Sequence, residues 1–340
     1  MRSVKFSRFV PRPRATSVRW LALLAVPLLV LGALSIPAAT ATNVSATPES
    51  TLSANSPISD AGLPTQISHV IVVMEENHDL AWALTDPGFD SLYLLHAHAT
   101  HEYSVCHPSA PNYLALTDAL KQQCGSDGVS YYSSSNLASD LSQHGKTWQG
   151  LFESMPRACD RSNSGLYAAR HNPWVFYSNL KSQCASQDLP FFTASGASAL
   201  QQELNAKTLP SFTFIAPNLD HDASGGSLSD SSSWLHQNVI SPVESSAFYW
   251  PDTVVFVTFD EGYLQSCDCE DHSGYSADGM TFNGGWIYLV AVSPISPDTL
   301  VVSNDVTEFN VASTIEWLLG IPSLGHNDDS HFPPIKGLFR

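Results

Sequence analysis

Short runs of β-branched and aromatic residues, each bounded by polar residues, recur along the chain. Such runs are typical of buried β-strands. Four of them lie at 68–74, 211–216, 252–259 and 286–292. The segments around them predict helices at 110–121, 136–144, 197–206, 234–247 and 309–319. Because apolar strands alternate with helices, the pattern predicts an α/β fold, a three-layer sandwich around a largely parallel central sheet. Two serine-rich stretches, 130–135 and 224–233, predict surface loops.

The first 66 residues differ in composition from the rest of the chain. Basic residues precede an apolar run at 20–34, and small residues follow at 39–41. This order predicts a signal peptide over 1–41 and a secreted protein. A membrane span needs about 20 apolar residues, more than this run contains, so cleavage is favoured. The alternative is that the signal stays uncleaved and anchors the protein to the outer face of the membrane. Residues 42–66, rich in Ser, Thr, Ala and Pro, predict a flexible spacer, and 67–340 the folded domain.

Charge and cysteine content narrow the range of partners and compartments. The formal net charge is −17, so the chain lacks the basic surface that binds the phosphate backbone of nucleic acids. No segment after the apolar run is long enough to cross a bilayer, which predicts no integral membrane domain once the signal is removed. The six cysteines all follow that run, and an even number in an exported chain predicts disulfides. Proximity in sequence favours Cys106 with Cys124 and Cys159 with Cys184.

Polar clusters follow three of the predicted strands directly. They are Glu75–His78, Asp260–Gly262 and Pro217–Asp222. In open α/β sheets, ligands bind beyond the carboxyl ends of the strands. Carboxylate and amide oxygens suit Mg²⁺, Ca²⁺ or Mn²⁺, and they do not exclude iron or zinc. The sequence therefore predicts a divalent or trivalent cation whose identity stays open.

A serine stands at the start of one predicted helix. Pro108 and Pro111 flank Ser109 and predict a tight entry into the helix, whose N-terminus favours an anion. From position alone, helix capping is the simpler interpretation of this serine. His107 lies two residues earlier, where it either orients Ser109 or packs. The sequence has no G-x-S-x-G motif, P-loop or glycine-rich dinucleotide loop, which argues against lipase-type and nucleotide-binding functions.

Six ordered motifs resemble a known family. They read HVIVVMEENHD, CHPSAPNYLALTDAL, ARHNPWVFY, FIAPNLDHDAS, VVFVTFDEG and NVASTIEWLLGIP. In this order they are similar to the phosphoesterase family of bacterial and fungal acid phosphatases and phospholipases C. The resemblance is closest to secreted phosphoinositide-type acid phosphatases. It extends over 70–340 and implies an alkaline-phosphatase-like fold.

The resemblance also implies roles for individual residues. It implies that Ser109 accepts the phosphoryl group and that His171 and His221 bind the substrate as catalytic histidines. Asp222, next to His221, falls in the same substrate-binding segment. The residues that it implies as metal ligands are Glu76, Asn77, Asp260 and Glu261.

One position departs from the family pattern. The family has a His-Tyr pair before its last motif, whereas this chain reads Thr307-Glu308-Phe309-Asn310. Glu308 therefore stands where the active-site histidine is expected, unless His272 replaces it. The remaining histidines of the segment before Ser109 are interpreted either as residues that support the site without touching the substrate or as surface residues: His96, His98 and His101.

These observations predict an exported, metal-dependent acid phosphatase that hydrolyses phosphomonoesters through a phosphoserine at Ser109. One alternative is a phosphodiesterase of the phospholipase C type. The other is a family member with impaired catalysis that acts as a binding protein, for which Glu308 is the main argument. The predicted partner is a phosphate-ester small molecule or a phospholipid headgroup.

Overall fold

A computed structural model describes residues 67–263, 275–328 and 330–340. The predicted signal peptide and spacer, and His272, lie outside the described residues. The strands are β1 His69–Glu75, β2 Ala97–Tyr103, β3 Trp148–Phe152, β4 Asp188–Pro190, β5 Phe212–Ala216, β6 Thr253–Phe259, β7 Tyr275–Ala277, β8 Met280–Phe282, β9 Trp286–Val292, β10 Val301–Val302 and β11 Val306–Thr307. The α-helices are α1 Leu80–Ala83, α2 Pro87–Leu95, α3 Ala110–Asp118, α4 Leu137–Gln143, α5 Cys184–Gln187, α6 Ala199–Ala206, α7 Leu228–Leu235, α8 Ser241–Glu244 and α9 Glu308–Leu319.

The central sheet confirms the predicted architecture. Its strand order is β10-β2-β9-β6-β1-β5-β3-β4, with β11 paired to β2, and β9 alone runs antiparallel to its neighbours. Alternate residues of β1 point to opposite faces because the side-chain period of a strand is two. Val72 faces one apolar core with residues of α3, α4 and α9, while Ile71 faces a second core with residues of α2, α6 and α7. The result is a three-layer sandwich.

Helix α3 packs against α9 and shares the first apolar core with the sheet. All nine of its residues are buried. The polar side chains among them are satisfied internally, as when Thr117 donates from its hydroxyl to the Tyr113 carbonyl oxygen at 2.8 Å. The helix that follows Ser109 therefore has no face exposed to solvent.

Two local expectations were wrong. Residues 97–103 form strand β2, in which His98 is buried and stacks on Tyr93 at 3.8 Å between ring centroids, so His98 is not a surface residue. Part of the second serine-rich stretch is helix rather than loop, because Ser227 caps α7 by accepting from the Asp230 backbone N. From Leu228 the helical path continues through a π-helical turn into α8. Serine hydroxyls favour such caps as readily as loops, which is why composition misled the prediction.

Both favoured disulfides are present, Cys106–Cys124 and Cys159–Cys184. The two remaining cysteines lie outside the described residues. Cys159 and Cys184 also lie near Asp188, with possible ligand atoms within 4.8 Å of one another. Because these two sulfurs are bonded to each other, they are not thiolates available to a metal. Within the described ranges, no helix combines the length and apolar composition that a bilayer span requires.

Candidate active site

The candidate site lies where β1 and β6 end side by side. The two strands are parallel, and Glu75 pairs with Phe259, so the residues that follow each strand leave the sheet together. Asp260 N donates to the Glu75 carbonyl oxygen at 2.9 Å, and Asn77 N donates to Asp260 Oδ1 at 2.9 Å. Asn77 has a φ of 57°, in the left-handed region that asparagine tolerates better than most residues. The two predicted oxygen-ligand clusters are thus joined at one edge of the sheet.

Ser109 is directed at this junction and does not cap its helix. It is 3% exposed, and its backbone is already helical, with no side-chain cap hydrogen bond. Its Oγ lies 3.0 Å from Glu76 Oε2 and 3.3 Å from Glu261 Oε1. The first helical N–H is instead satisfied by Asp127, whose Oδ1 accepts from Ala110 N at 3.1 Å. The capping interpretation is therefore wrong.

His107 contacts the same group of acids. Its Nδ1 forms a short hydrogen bond with Glu261 Oε2. Since the other oxygen of Glu261 faces Ser109, His107 can orient Ser109 only through Glu261. Burial raises the pKa of Glu261, and the bond to His107 opposes that rise.

Glu76 is held by three side chains besides Ser109. Tyr113 donates from its hydroxyl to Glu76 Oε1 at 2.6 Å, and Asn77 Nδ2 donates to Oε2 at 2.7 Å. His171 Nε2 lies 3.0 Å from Glu76 Oε1, and its ring stacks on Tyr113 with an interplanar angle of 3°. Burial, followed by the charge of Arg170, lowers the pKa of His171 well below its usual value. We therefore describe His171 as a neutral imidazole beside Glu76, not as the cation of an ion pair.

His221 and Asp222 approach from the end of β5. Asp222 is buried, and its carbonyl oxygen accepts from Glu76 N at 2.8 Å. Its Oδ2 lies 3.7 Å from His171 Nδ1. The His221 side chain is 36% exposed, and its Nδ1 lies 3.0 and 2.9 Å from the two carboxylate oxygens of Glu153. The four implied metal ligands, together with His171 and Asp222, thus form one cluster with Ser109, while His221 lies at its more accessible side.

The cluster concentrates acids away from water. Burial first, and then Asp260 and Asp222, raise the pKa of Glu76 well above its usual value. Burial and Glu261 do the same to Asp260, and burial raises the pKa of Asp222 to about 6. Buried carboxyls that repel one another are costly unless something positive compensates. A bound cation would reverse the direction of these shifts because it favours the ionised forms.

The donor set fits a hard cation. Asp260 Oδ2 is buried and has no hydrogen-bond partner among the described residues. The side-chain nitrogen of Asn77 donates to Glu76 and Ser224, so its amide oxygen remains as a ligand atom. Carboxylate and amide oxygens at a buried junction are what Mg²⁺, Ca²⁺ or Mn²⁺ require.

Glu308 lies behind this cluster, at the first turn of α9. Its Oε1 accepts from Val105 N at 3.4 Å, next to Ser104 in the chain. Ser104 in turn donates to the carbonyl oxygen of Asp260. Any influence of Glu308 on Ser109 has to pass through the segment before Ser109 and through Asp260. Burial raises the pKa of Glu308 to about 8.

Sequence reasoning missed several residues of the site. Tyr113 stands four residues after Ser109 on the same helix, a spacing that places two side chains on one face. Glu153 follows β3 directly, so the strand-end rule would have found it if β3 had been predicted. Arg170 precedes His171, and its Nε lies 3.6 Å from Asp127 Oδ2 near the start of α3. Nothing in the sequence signalled the pairing of Arg170 with Asp127.

Comparisons with known proteins show which family the chain belongs to. The model of the Phosphoesterase family matches residues 96–322. A phosphatidylinositol-3-phosphatase of Mycobacterium tuberculosis is 30% identical over 291 residues, 82% of this chain and 85% of that protein. An acid phosphatase of Aspergillus fumigatus is 26% identical over 267 residues, 74% of this chain and 55% of that protein.

Two solved structures resemble the fold. A lipoteichoic acid synthase from Listeria monocytogenes superposes with a TM-score of 0.54 at 12% identity, covering 80% of this chain and 76% of that one. A protein of the alkaline phosphatase superfamily from Vibrio parahaemolyticus gives 0.52 at 11% identity, covering 77% and 70%. At these identities the likeness shows the fold alone, and it confirms the expected alkaline-phosphatase-like architecture.

Proposed function

This chain belongs to the Phosphoesterase family, and from that premise we propose that it is an exported, metal-dependent acid phosphatase with Ser109 as its nucleophile. Phosphoester hydrolysis follows from family membership. The observation that carries the rest is the direction of Ser109, whose hydroxyl faces Glu76 and Glu261 and does not cap α3.

The cation would be held by four residues: Glu76, Asn77, Asp260 and Glu261. When bound, it would supply positive charge that favours the ionised serine hydroxyl and neutralises the phosphate oxygens. Among the residues of the described chain, Arg170 adds charge of the same sign near Glu76 and Asp222. These groups together offset the repulsion between the acids and an anionic substrate.

The first step forms a bond between Ser109 Oγ and phosphorus and breaks the bond from phosphorus to the ester oxygen. The hydroxyl proton passes to Glu76 or Glu261, whose carboxylate oxygens lie 3.0 and 3.3 Å away. His221, held through Nδ1 by Glu153, donates a proton to the departing oxygen. His171 lies beside Glu76, with Nε2 3.0 Å from Oε1, and its ring stacks on Tyr113.

In the second step, water attacks the phosphoserine and the bond from Ser109 Oγ to phosphorus breaks. His221 accepts the proton from the water, and the proton held by the carboxyl group returns to Ser109 Oγ. Phosphate leaves, and the site regains its starting state.

The proposal also includes the compartment and the class of substrate. The two disulfides fit an oxidising compartment, as does the signal peptide predicted over 1–41. We assign the activity to residues 67–340. The substrate is a phosphate-ester small molecule or a phospholipid headgroup, in line with a relative that is a phosphatidylinositol-3-phosphatase.

Ser109→Ala tests the proposal, with turnover of a chromogenic phosphomonoester and a matched phosphodiester measured with and without a chelator. We expect the unaltered protein to prefer the monoester and to lose activity with chelator, and Ser109→Ala to lose nearly all turnover while folding normally. The matched control is Ser198→Ala, because Ser198 does cap its helix. It should lose about 1 kcal/mol of stability and keep its turnover. Activity of Ser109→Ala within a few-fold of the unaltered protein would refute the phosphoserine mechanism.

A further inference from the structure

We propose that Trp82, Tyr263 and His78 form an aromatic platform at the rim of the active site. The platform would bind a ring in the leaving group of the substrate, so that the enzyme prefers phosphomonoesters of ring-bearing alcohols over those of small alkyl alcohols. This inference rests on the proposed function and adds the class of substrate that the same site selects.

The three rings pack against one another. His78 meets Trp82 edge to face at 5.6 Å between ring centroids, and Trp82 meets Tyr263 edge to face at 6.2 Å. His78 and Tyr263 are stacked at 6.5 Å. Aromatic pairs favour these separations and orientations. The three rings therefore form one contiguous aromatic cluster and are not isolated side chains.

The residues of the platform directly follow, in sequence, the two chain segments that contribute the acids of the site. His78 follows Asn77, and its Nδ1 lies 3.0 Å from the Glu76 carbonyl oxygen. Tyr263 follows Glu261 and Gly262. A Cβ at Gly262 would collide with the carboxylate of Asp79, so only glycine lets this turn approach the start of α1. That approach is what brings Tyr263 against Trp82.

The platform is unusually open for aromatic side chains. Trp82 is 48% exposed and Tyr263 is 42% exposed. Single exposed aromatic residues are ordinary on protein surfaces, and Phe248 is such a case, at 56% exposure beside Lys207. Contacting aromatic rings that adjoin the residues facing a nucleophile are a different arrangement. They offer apolar ring surface next to Asn77 and Gly262, on the two segments that build the site.

The chemistry of that surface defines the ligand. Ring faces stack on aromatic leaving groups and on the C–H faces of sugar-like rings, and they gain little from a methyl group. Arg170 and the cation that the acids would hold attract the phosphate end, whereas the rings would contact only the alcohol. Discrimination of this kind raises the affinity for the substrate and leaves the chemical step unchanged.

Two measurements test the platform, both with the full chain. The first compares KM and kcat for phenyl phosphate and methyl phosphate. The second compares Kd for phenylphosphonate and methylphosphonate, which are not hydrolysed. In Trp82→Ala and Tyr263→Ser we expect KM and Kd of the phenyl compounds to rise about three- to tenfold. The methyl compounds and kcat should be unaffected. Phe248→Ala is the matched control and should change none of these values.

The outcomes separate this inference from the proposed function. Equal changes for phenyl and methyl compounds, or no change in either variant, would overturn the platform. Using two variants on different segments guards against one that fails to fold, which thermal unfolding would reveal. If the unaltered protein hydrolyses neither phosphate, the proposed function fails, while the phosphonate affinities still decide whether the platform binds a ring.

Discussion

Removing the Tyr113 hydroxyl isolates one interaction of the site without disturbing its shape. Tyr113 is fully buried, and its hydroxyl donates to Glu76 Oε1 at 2.6 Å. Tyr113→Phe keeps the ring, and with it the parallel stack on His171 at 5.3 Å. The variant therefore changes a hydrogen bond to a buried acid and almost nothing else.

The size of the effect follows from the burial of both groups. Because water cannot replace the lost donor, we expect the free energy of unfolding to fall by about 1–3 kcal/mol. The hydrogen bond lowers the pKa of Glu76 against the larger effect of burial, so its removal raises that pKa further. A cation binds the ionised carboxylate, so binding should weaken about 10–100-fold and require a higher pH.

Calorimetric titration of chelator-treated protein with Mg²⁺, Ca²⁺ and Mn²⁺ at several pH values measures the affinity, and urea unfolding measures the stability. Tyr177→Phe is the matched control, since Tyr177 is also buried and its hydroxyl lies 2.8 Å from Thr117 Oγ1, near Asp118 and not in contact with the acids of the site. It should lose stability but not cation affinity. If Tyr113→Phe binds the cation as tightly as Tyr177→Phe does, Tyr113 does not position Glu76.

Two further predictions concern buried acids. Elemental analysis of Asp260→Asn should find at least tenfold less bound cation, and the variant should lose turnover. In chelator it should unfold at a temperature no lower than the unaltered protein does, because one repelling charge is gone. Full metal content with full activity would contradict this. For Glu308, burial raises the pKa to about 8 from an unfolded value of 4.5, so its stabilising contribution is complete below 4.5 and is lost as the pH rises through 8. In Glu308→Gln, both the loss of stability and the fall of kcat/KM at alkaline pH should become smaller. Glu308→His should extend activity toward neutral pH. The control is Glu244→Gln, at an exposed residue, which should show the same dependence of stability and of kcat/KM on pH as the unaltered protein. Unchanged profiles in both Glu308 variants would place this residue outside the function of the site.

The sequence was informative where a local rule coincided with the tertiary structure. The ends of β1 and β6 could be predicted because parallel strands that are buried on both faces appear in the sequence as apolar runs. The polar residues that follow such strands lie together at one edge of the sheet. The same rule missed Glu153, since β3 is short and its sequence, WQGLF, does not read as an apolar run. Contacts between distant segments, such as Arg170 with Asp127, depend on the packing of the folded chain and have no local signature.

The direction of Ser109 illustrates a second limit. A serine next to proline at a helix start matches a cap in its residue type and spacing, and only the backbone angles and the position of the acids separate the two roles. Glu308 shows the converse, because alignment placed it at the site whereas its hydrogen bonds lie on the segment before Ser109. In both cases the side-chain direction decided the outcome, and a one-dimensional pattern does not contain it.

The complete burial of α3 bears on how this scaffold can diverge. A helix with no solvent-facing position tolerates few substitutions, because each change creates a cavity or a clash. The nucleophile at its start is therefore inherited with the core. The rim, in contrast, presents two aromatic side chains, Trp82 and Tyr263, that are about half exposed. Mutation can therefore change the rim one side chain at a time. Related enzymes with the same phosphoryl-transfer centre can in this way come to hydrolyse phosphate esters of different alcohols.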